Sequence, residues 1–466
     1  IAEGAMYSNT TKYRSRAPTF RYRDRTWPDT YMSTSPVLFS TDLRDGNQAL
    51  PHPFVSMPYH KLRLFKLLVS IGFKEIEVGY PCANQEEFDF IRYIIETPGI
   101  VPNDVLIQVI TPCREDAISR AVESLHGAKQ AILLTYLPSS DNYRDTILQI
   151  SEDEWIDRAQ QITKFARSVT KDSTADDIAR KTHWTFGFGY EDFPNARMDA
   201  VARCAETVLS AWGATKDDQP IVCIASSVEC ASPNVFADQV EYLARRLSGG
   251  CKNFRLSVHT HNDRGGAISS AELACLGGAD RVEGCLFGNG ERAGNLDLVT
   301  FALNMLTQGL DPGVDFSDLD NTRALYEDLT KLKVSPRAPY AGTYYLRAFS
   351  GAHQDAIWKG IQRRNKTIQE QGQPWSAGSV PWNVPYLPID PADIGRSLDD
   401  VVGINSQSGK RGVAWVIRAT LGKEVPNDAL VELSNAVKAR SIELGRELSA
   451  DEVCRIFLVN FVPASG

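Results

Sequence analysis

Eight short apolar runs, separated by helix-length amphipathic segments, restrict the fold of this chain more than any other feature of its sequence. The runs are mostly apolar on both faces, which is typical of strands buried in a parallel sheet. They cover residues 37–43, 75–80, 105–111, 130–137, 183–190, 220–226, 254–261 and 281–287. Helices are expected at 59–70, 86–96, 116–125, 152–169, 200–212, 236–248, 267–276 and 296–306. The alternation predicts an α/β protein with a (β/α)8 TIM barrel over residues 37–309. An open, doubly wound sheet is the alternative, because the number of strands alone does not prove closure.

The segments on either side of this barrel have a different composition. Residues 1–36 are polar and rich in Arg, Tyr, Ser and Pro, so we expect an extended arm, with the native start at Met6. Residues 310–466 are expected to form a smaller, mostly helical region. Its helices are predicted at 319–332, 390–396, 413–420, 427–444 and from 449–451 onward, and its loops at 338–355 and 366–388. Ser449 and Glu452 have the spacing of a capping box at the start of the last helix.

Composition excludes several classes of protein. The chain has 466 residues, 43% of them hydrophobic, which is ordinary for a globular protein. Its net charge of −8 argues against a general nucleic-acid partner, which needs a basic surface. No apolar run approaches the ~18 residues of a membrane span, and no secretion signal is visible. The nine cysteines include no C-x-x-C pair, so we expect free thiols in the cytoplasm or another reducing compartment.

Polar residues collect where the apolar runs end. In a barrel of this kind the carboxyl ends of all strands meet at one mouth, which holds the active site. The candidates at these ends are Arg44 and Asp45 after the first run, Glu191 after the fifth, Ser227 after the sixth, His259 and His261 in the seventh, and Asn295 after the eighth. We therefore expect them to converge.

The His-x-His pair is the most specific of these features. Residues two apart on a strand face the same side, so His259 and His261 would project together. A divalent metal would satisfy both imidazoles, and Asp45 would complete a mixed nitrogen and oxygen set suited to Zn, Mn, Mg or Co. The alternative is two structural histidines that bond backbone groups. Arg44 would stabilise an oxyanion beside the metal, unless it forms a surface ion pair. Glu191 would be a supporting residue, a general base or an exposed loop residue.

A second motif, Gly288-x-Gly290-x-x-Ala293, has the spacing of a dinucleotide-binding fingerprint. However, it lies at the end of the strand–helix series, and no acidic residue closes a following strand about 20 residues later. We therefore expect no nicotinamide site here.

Taken together, these residues carry a resemblance to a known family. Residues 40–50 (STDLRDGNQAL) and 259–265 (HTHNDRG) resemble the 2-isopropylmalate synthases, a family of metal-dependent TIM-barrel enzymes of the Claisen-condensing type. Further matches are residues 282–298 (VEGCLFGNGERAGNLDL), 349–355 (FSGAHQD), 384–396 (VPYLPIDPADIGR) and 405–410 (NSQSGK). The resemblance extends from about Arg25 to about Phe461, which is nearly the whole chain.

The resemblance implies that acetyl-CoA is joined to a 2-oxo acid and that thioester hydrolysis then releases a 2-substituted malate. The implied metal ligands are Asp45, His259, His261 and Asn295. Arg44 would stabilise the developing alkoxide, Glu191 would be catalytic, and His353 and Tyr386 would assist proton transfer. In the family's homodimers the region after the barrel reaches into the partner's barrel, which implies composite sites.

The implied substrate-binding residues include departures from the family pattern. The set is Arg44, Ile110, Leu134, Gly189, Ser227 and Glu291. Ser227 stands where the family uses Thr to bind the substrate carboxylate. Leu134 replaces a His and Gly189 replaces a Ser near the 2-oxo acid, while Gly187 replaces a Glu and Leu137 an Asn. One hypothesis is a roomier apolar pocket for an aromatic 2-oxo acid such as phenylpyruvate, which would give a benzylmalate. The other is neutral drift in a 2-isopropylmalate synthase.

Three further expectations follow from the comparison with this family. The leucine-binding regulatory domain that long members carry is expected to be missing. A metal-dependent aldolase or lyase of the same barrel group is an alternative activity, but His353 and residues 405–410 match the condensing branch. A catalytically inactive scaffold is disfavoured because every implied metal ligand is retained.

Overall fold

The structure is a computed structural model that describes residues 12, 18–54, 58–249, 252–370 and 380–461. Within these ranges eight parallel strands close into a barrel in sequence order. They are β1 (Val37–Ser40), β2 (Glu75–Gly79), β3 (Leu106–Pro112), β4 (Gln130–Pro138), β5 (His183–Glu191), β6 (Ile221–Ser226), β7 (Arg255–Thr260) and β8 (Arg281–Gly284). Ser40 of β1 pairs with Ile76 on one side and Gly284 on the other, so the first strand joins the last. The barrel prediction is confirmed, and the open-sheet alternative is wrong.

One longer helix follows each strand. They are α1 (Pro58–Ile71), α2 (Gln85–Glu96), α3 (Glu115–Ser124), α4 (Glu152–Val169), α5 (Met198–Trp212), α6 (Pro233–Ser248), α7 (Ala267–Leu276) and α8 (Leu298–Thr307). Short helices Asp141–Tyr143 and Asp177–Lys181 lie between β4 and β5. Helix α4 shows why these segments form: Ser151 and Glu154 make a capping box, and Trp155, Ala159 and Ile162 bury one face at helical spacing.

The first and last strands are shorter than their apolar runs. Residues 37–43 were predicted as strand, but β1 stops at Ser40 and the chain turns into a π-helical turn, Asp42–Gly46. Likewise, β8 stops at Gly284 although the run continues to residue 287. The carboxylate of Asp42 accepts the N–H of Leu286 at 3.0 Å, which replaces the sheet hydrogen bonds beyond Gly284. Both chain segments thereby leave the sheet at the mouth.

The barrel interior is more polar than the apolar runs suggested. Arg281 is fully buried and donates to Glu75 at 2.7 Å, to Glu283 at 2.6 Å and to Gln108 at 2.9 Å. Its guanidinium also lies 3.6 Å from the centre of the Phe39 ring. Buried charges are tolerated only when they are paired and hydrogen-bonded, and this set is.

The chain divides into two compact units, Ile1–Asp315 with Tyr326–Leu332, and Phe316–Leu325 with Lys333–Gly466. The helices after the barrel are α9 (Leu319–Thr330), α10 (Gly351–Glu370), α11 (Lys410–Leu421), α12 (Asn427–Leu444) and α13 (Ala450–Phe461). In the second unit, α11 packs against α10, α12 and α13. The mostly helical character predicted for this region is confirmed, and Ser449 and Glu452 form the expected capping interactions.

Two local expectations in this region were wrong. Helix α10 covers residues that were predicted as the end of one loop and the start of another. Few of its residues are apolar, and its packing depends on Gly360, where a Cβ would lie 2.5 Å from Pro385 Cδ. From the sequence alone, a glycine that permits close packing of a helix cannot be told apart from a glycine that interrupts one. Residues 390–396, predicted as helix, contain only a 3₁₀ turn, Pro391–Ile394. The loop prediction at 371–379 lies outside the described residues.

Residues 18–36 of the N-terminal arm contain no strand or α-helix and include a 3₁₀ turn, Trp27–Asp29. The arm is held against α6, where the buried carboxylate of Asp238 accepts from Arg25 at 3.0 Å and from Trp27 Nε1 at 2.8 Å. Glu241 accepts the backbone N–H of Thr26 at 2.9 Å. The arm prediction for residues 1–11 and 13–17 lies outside the described residues.

Two other expectations concern covalent links and membranes. None of the eight cysteines in the described ranges forms a disulfide, as expected, and Cys251 lies outside those ranges. None of the helices built from described residues combines the length and the apolar character that a membrane crossing requires.

Candidate active site

A cavity of about 270 Å³ opens at the carboxyl ends of the barrel strands. Ten of the residues singled out from the sequence line it: Arg44, Asp45, Ile110, Leu134, Gly189, Glu191, Ser227, His259, His261 and Glu291. An eleventh, Asn295, lies beside it, with its Nδ2 donating to Asp45 Oδ2 at 2.5 Å. The topology of the barrel brings these residues together from the ends of seven strands, β1 and β3 to β8.

Asp45, His259 and His261 form a compact donor set. The two Nε2 atoms lie 3.2 Å apart, Asp45 Oδ2 lies 3.9 Å from His259 Nε2, and all three ligand atoms lie within 4.8 Å of one another. All three side chains are buried. Two imidazoles whose nitrogens face each other beside a carboxylate fit a divalent cation.

Two further observations support the fit to a cation. Asn295 Oδ1 is buried and makes no hydrogen bond within the described structure, so an oxygen is available beside the donor set. No other cluster of three such donors occurs in the described residues. The residues present therefore fit a divalent metal, whose identity they do not select.

The electrostatics at Asp45 and His261 favour the protonation states that bind metal. Burial opposes the charged form of Asp45, but Arg44 and the two imidazoles outweigh it and lower the pKa of this carboxyl to about 2. Burial, reinforced by His259, lowers the pKa of His261 to about 4. An ionised carboxylate and a neutral imidazole are the forms that bind metal.

Arg44 is fixed at the edge of the donor set. Its Nη1 donates to Asp45 Oδ1 at 2.7 Å and its Nε donates to Glu77 Oε2 at 2.7 Å. Glu77 is held in turn by Gln108 Nε2 at 3.0 Å. The guanidinium lies within the cavity wall and not on the surface, so the surface ion-pair alternative is wrong.

Sequence reasoning missed the buried carboxylates beneath the site, Glu77 and Glu283. The signal was present, because Glu75 and Glu77 of β2, and Arg281 and Glu283 of β8, alternate with apolar residues inside otherwise apolar strands. Alternate positions on a barrel strand face the interior. Polar residues there support the polar residues at the mouth.

Glu191 and Ser227 lie on neighbouring strand ends. Glu191 is the last residue of β5, and burial raises the pKa of its carboxyl, although Arg44 acts in the opposite direction. The Ser227 hydroxyl oxygen accepts the backbone N–H of Asp192 at 3.0 Å, which leaves its proton available to donate. Both side chains face the cavity, so Glu191 is not an exposed loop residue.

Part of the cavity wall is apolar and combines branched side chains with small residues. Ile110 and Leu134 pack with Cys223 in a cluster that also contains Ile132 and Ile221. A Cβ at Gly189 would lie 3.0 Å from Tyr136 Cβ, so a side chain there would press on the Tyr136 side chain. The space beside Gly187 is already filled by Leu134, because a Cβ at Gly187 would lie 2.6 Å from Leu134 Cδ1.

His353 and Tyr386 belong to the second unit and are not among the residues that line this cavity. Their rings stack, with centroids 4.0 Å apart and planes 20° apart. Tyr386 has a left-handed backbone conformation, with φ +63°, and its side chain is 62% exposed.

The glycine motif at 288–293 shapes the loop that carries Asn295. Gly290 has φ +154°, and a Cβ there would lie 2.5 Å from Asn295 Nδ2. Gly294 has φ +97°, and a Cβ there would lie 1.9 Å from the Gly288 carbonyl oxygen. These glycines allow a tight loop to pass beside the donor set.

A closed (β/α)8 barrel whose mouth holds a His, His and Asp donor set with an adjacent, partly buried arginine defines an enzyme of the metal-dependent barrel class. Residues 35–325 match the HMGL-like family, and residues 344–418 match the alpha-isopropylmalate synthase post-catalytic domain. The chain therefore belongs to the HMGL-like family and, within it, to the isopropylmalate synthases, which are metal-dependent acyltransferases acting on small molecules.

Curated relatives agree with this assignment. The isopropyl malate synthase AMT7 of Alternaria alternata is 62% identical over 97% of this chain and 77% of its own length. The isopropyl malate synthase gloH of Glarea lozoyensis is 54% identical over 96% of this chain and 74% of its own. The 2-isopropylmalate synthase of Saccharomyces cerevisiae is 45% identical over 96% and 70%. Among solved structures, an HMG-CoA lyase of Bacillus subtilis shares the fold, with a TM-score of 0.51 at 15% identity, over 66% of this chain and 97% of that one.

Proposed function

We propose that this chain condenses acetyl-CoA with a 2-oxo acid and hydrolyses the thioester, releasing a 2-substituted malate and free CoA. The observation that carries the proposal is the convergence of Arg44, Glu191 and the Asp45, His259 and His261 donor set on one cavity. A Claisen condensation needs these elements: a polarised ketone, a cation for the developing alkoxide, and a base for the weakly acidic acetyl methyl group.

The 2-oxo acid would be held by its carboxylate and ketone oxygens. Ser227, whose hydroxyl proton is free to donate, would bind the carboxylate. When bound, a divalent cation at Asp45, His259, His261 and Asn295 would supply Lewis-acid polarisation of the ketone. Zn, Mn, Mg and Co all suit this mixed donor set.

Bond formation would then depend on residues of the chain itself. The acetyl methyl C–H bond breaks, its proton passes to a base, and the carbon attacks the ketone carbon. Arg44, held at 2.7 Å by both Asp45 and Glu77, would stabilise the negative charge that develops on the ketone oxygen. Burial raises the pKa of Glu191, so its carboxylate is a stronger base than that of an ordinary glutamate and is suited to accept a proton. Water then cleaves the thioester.

His353 and Tyr386 enter the proposal through the family resemblance, as residues that assist proton transfer from a second copy in a homodimer. Support comes from their stacking at 4.0 Å, which orients the imidazole and the phenol as a pair. We therefore propose that each active site is composite, with this pair supplied by the second copy of the chain.

The test is release of free CoA, followed with a thiol reagent, from acetyl-CoA in the presence of each divalent metal and a 2-oxo acid. Metal-dependent release that requires the 2-oxo acid is expected. If no 2-oxo acid supports release with any metal, the condensing activity is excluded and cleavage by a lyase becomes the activity to assay.

A second candidate is the same chemistry on an aromatic 2-oxo acid. It is favoured by the wall formed by Ile110, Leu134, Gly189, Cys223 and Ala225, which offers apolar surface and small side chains. Comparing kcat/KM for 2-oxoisovalerate, phenylpyruvate and 4-hydroxyphenylpyruvate separates the two. Preference for the aromatic acids supports the second candidate, and preference for 2-oxoisovalerate supports a 2-isopropylmalate synthase.

A further inference from the structure

We propose that Arg292 is a positioning residue for the 2-oxo acid: it ties three loops at the mouth together and holds Ser227 in the orientation that binds the substrate carboxylate. The inference rests on the proposed function, and it assigns a task to the arginine of the loop after β8. Neither Arg292 nor its partner Asp263 is needed for the metal set or for the proton transfers described above.

Arg292 is held in a strained conformation with defined partners. Its φ of +58° is unusual for a residue with a side chain, and such strain persists only where surrounding contacts enforce it. Its Nε donates to Asp263 Oδ1 at 2.7 Å, and its Nη2 donates to Asp263 Oδ2 at 3.2 Å. A paired guanidinium and carboxylate of this kind is directional as well as charged.

The same guanidinium reaches the loop after β6. Arg292 Nη2 donates to the backbone carbonyl of Ser227 at 2.5 Å. Asp263 reinforces the link, because its Oδ2 accepts the backbone N–H of Glu229 at 2.9 Å. Arg292 and Asp263 therefore connect the ends of β6, β7 and β8.

Ser227 is thereby fixed at two points. Arg292 holds its carbonyl oxygen, and the Asp192 N–H occupies one lone pair of its hydroxyl oxygen. The rotation of the hydroxyl is restricted, and its proton is left for an acceptor in the cavity. Loss of the Arg292 contact frees the backbone of Ser227, so the carboxylate loses a preorganised donor.

The experiment compares Arg292→Ala, Ser227→Ala and the double variant by steady-state kinetics, with metal content measured for each. Arg292→Ala should raise the KM for the 2-oxo acid about tenfold, the size of one hydrogen bond to a charged group. The KM for acetyl-CoA and the metal content should stay unchanged. Because Arg292 acts through Ser227, the double variant should be no worse than Ser227→Ala alone.

Arg264→Ala is the matched control, since it removes an exposed arginine of the same rim whose guanidinium donates to the Cys230 carbonyl and makes no hydrogen bond or ion pair with Asp263 or Ser227. It should leave both KM values as they are. Additive effects in the double variant, or an unchanged KM in Arg292→Ala, would overturn the inference while the wild-type activity stands. An inactive wild type would instead overturn the proposed function, and the inference with it.

Discussion

His259 Nδ1 lies 3.3 Å from Oε2 of Glu283, a carboxylate buried on the adjacent strand β8. The other oxygen of Glu283 accepts from Arg281 at 2.6 Å and from Ser257 at 2.7 Å, so the carboxylate has a fixed position. Burial opposes its charged form, but Arg281 and His259 hold the pKa of Glu283 well below its usual range. An ionised carboxylate behind Nδ1 directs Nε2 of His259 into the cavity, as metal-binding histidines require.

Glu283→Gln should therefore weaken metal binding without removing a ligand. We expect the apparent metal Kd to rise by roughly 10-fold or more, which is typical of losing a carboxylate behind a metal-bound histidine. Isothermal titration of the apoprotein with Zn²⁺ and Mn²⁺ measures it, with circular dichroism as the check on folding. An unchanged Kd would mean that Glu283 serves only the barrel core.

His259→Ala should abolish turnover because it removes a ligand from the Asp45, His259 and His261 set. Elemental analysis should find the metal content of the purified variant strongly reduced. His126→Ala is the control, since His126 pairs with Asp176 at 2.7 Å away from the cavity and its loss should change neither property. Full activity with normal metal content in His259→Ala would contradict the site assignment.

The pH dependence of kcat/KM should report Glu191. Burial raises the pKa of this carboxyl, so it stays protonated to a higher pH than an ordinary glutamate. If its ionised form accepts the methyl proton, activity should fall on acidification through a pKa above the usual Glu value. In Glu191→Gln this acidic fall in kcat/KM should disappear. The kcat should also drop roughly 10²–10⁴-fold, which is the usual contribution of a general base. An acidic limb that persists in Glu191→Gln would assign the titration to another group.

Gly189→Ser should narrow the apolar side of the cavity. The new Cβ would lie 3.0 Å from Tyr136 Cβ, so the hydroxymethyl group would press on that side chain or occupy cavity volume. We expect kcat/KM for phenylpyruvate to fall about tenfold more than that for 2-oxoisovalerate, since a small volume change in an apolar pocket costs about 1–3 kcal/mol. Equal losses for both substrates would show that Gly189 does not select the side chain.

Trp27→Phe tests the hold of the N-terminal arm on α6. The indole N–H donates to the buried Asp238 carboxylate at 2.8 Å, and losing this bond should cost about 1.5 kcal/mol of unfolding free energy. Urea denaturation measures it. Tyr31→Phe, at a side chain that is 94% exposed, should have no effect. Equal stability of the Trp27 variant and the wild type would mean that this hydrogen bond contributes nothing to the free energy of unfolding.

Much of the barrel could be predicted because its signals are local. A run of apolar residues reveals a buried strand wherever it lies, and the helix spacing between runs reveals parallel connections. His259 and His261 could be placed on one side because the side-chain period of a strand is two. Strand ends were less certain, since Asp42 ends the pairing by bonding the Leu286 N–H, a residue 244 positions away.

The order of strands and helices, the mouth at which the polar strand ends meet, and the shared face of the two histidines all follow from local patterns along the chain. The residues that support the site follow only from the folded barrel. Glu77 lies 33 residues from Arg44, and Arg292 lies 65 residues from Ser227, yet each pair is in hydrogen-bond contact. Such contacts depend on barrel closure and on the register between strands. The periodicity of the sequence contains no information about closure or register, because it relates only residues that are close together along the chain.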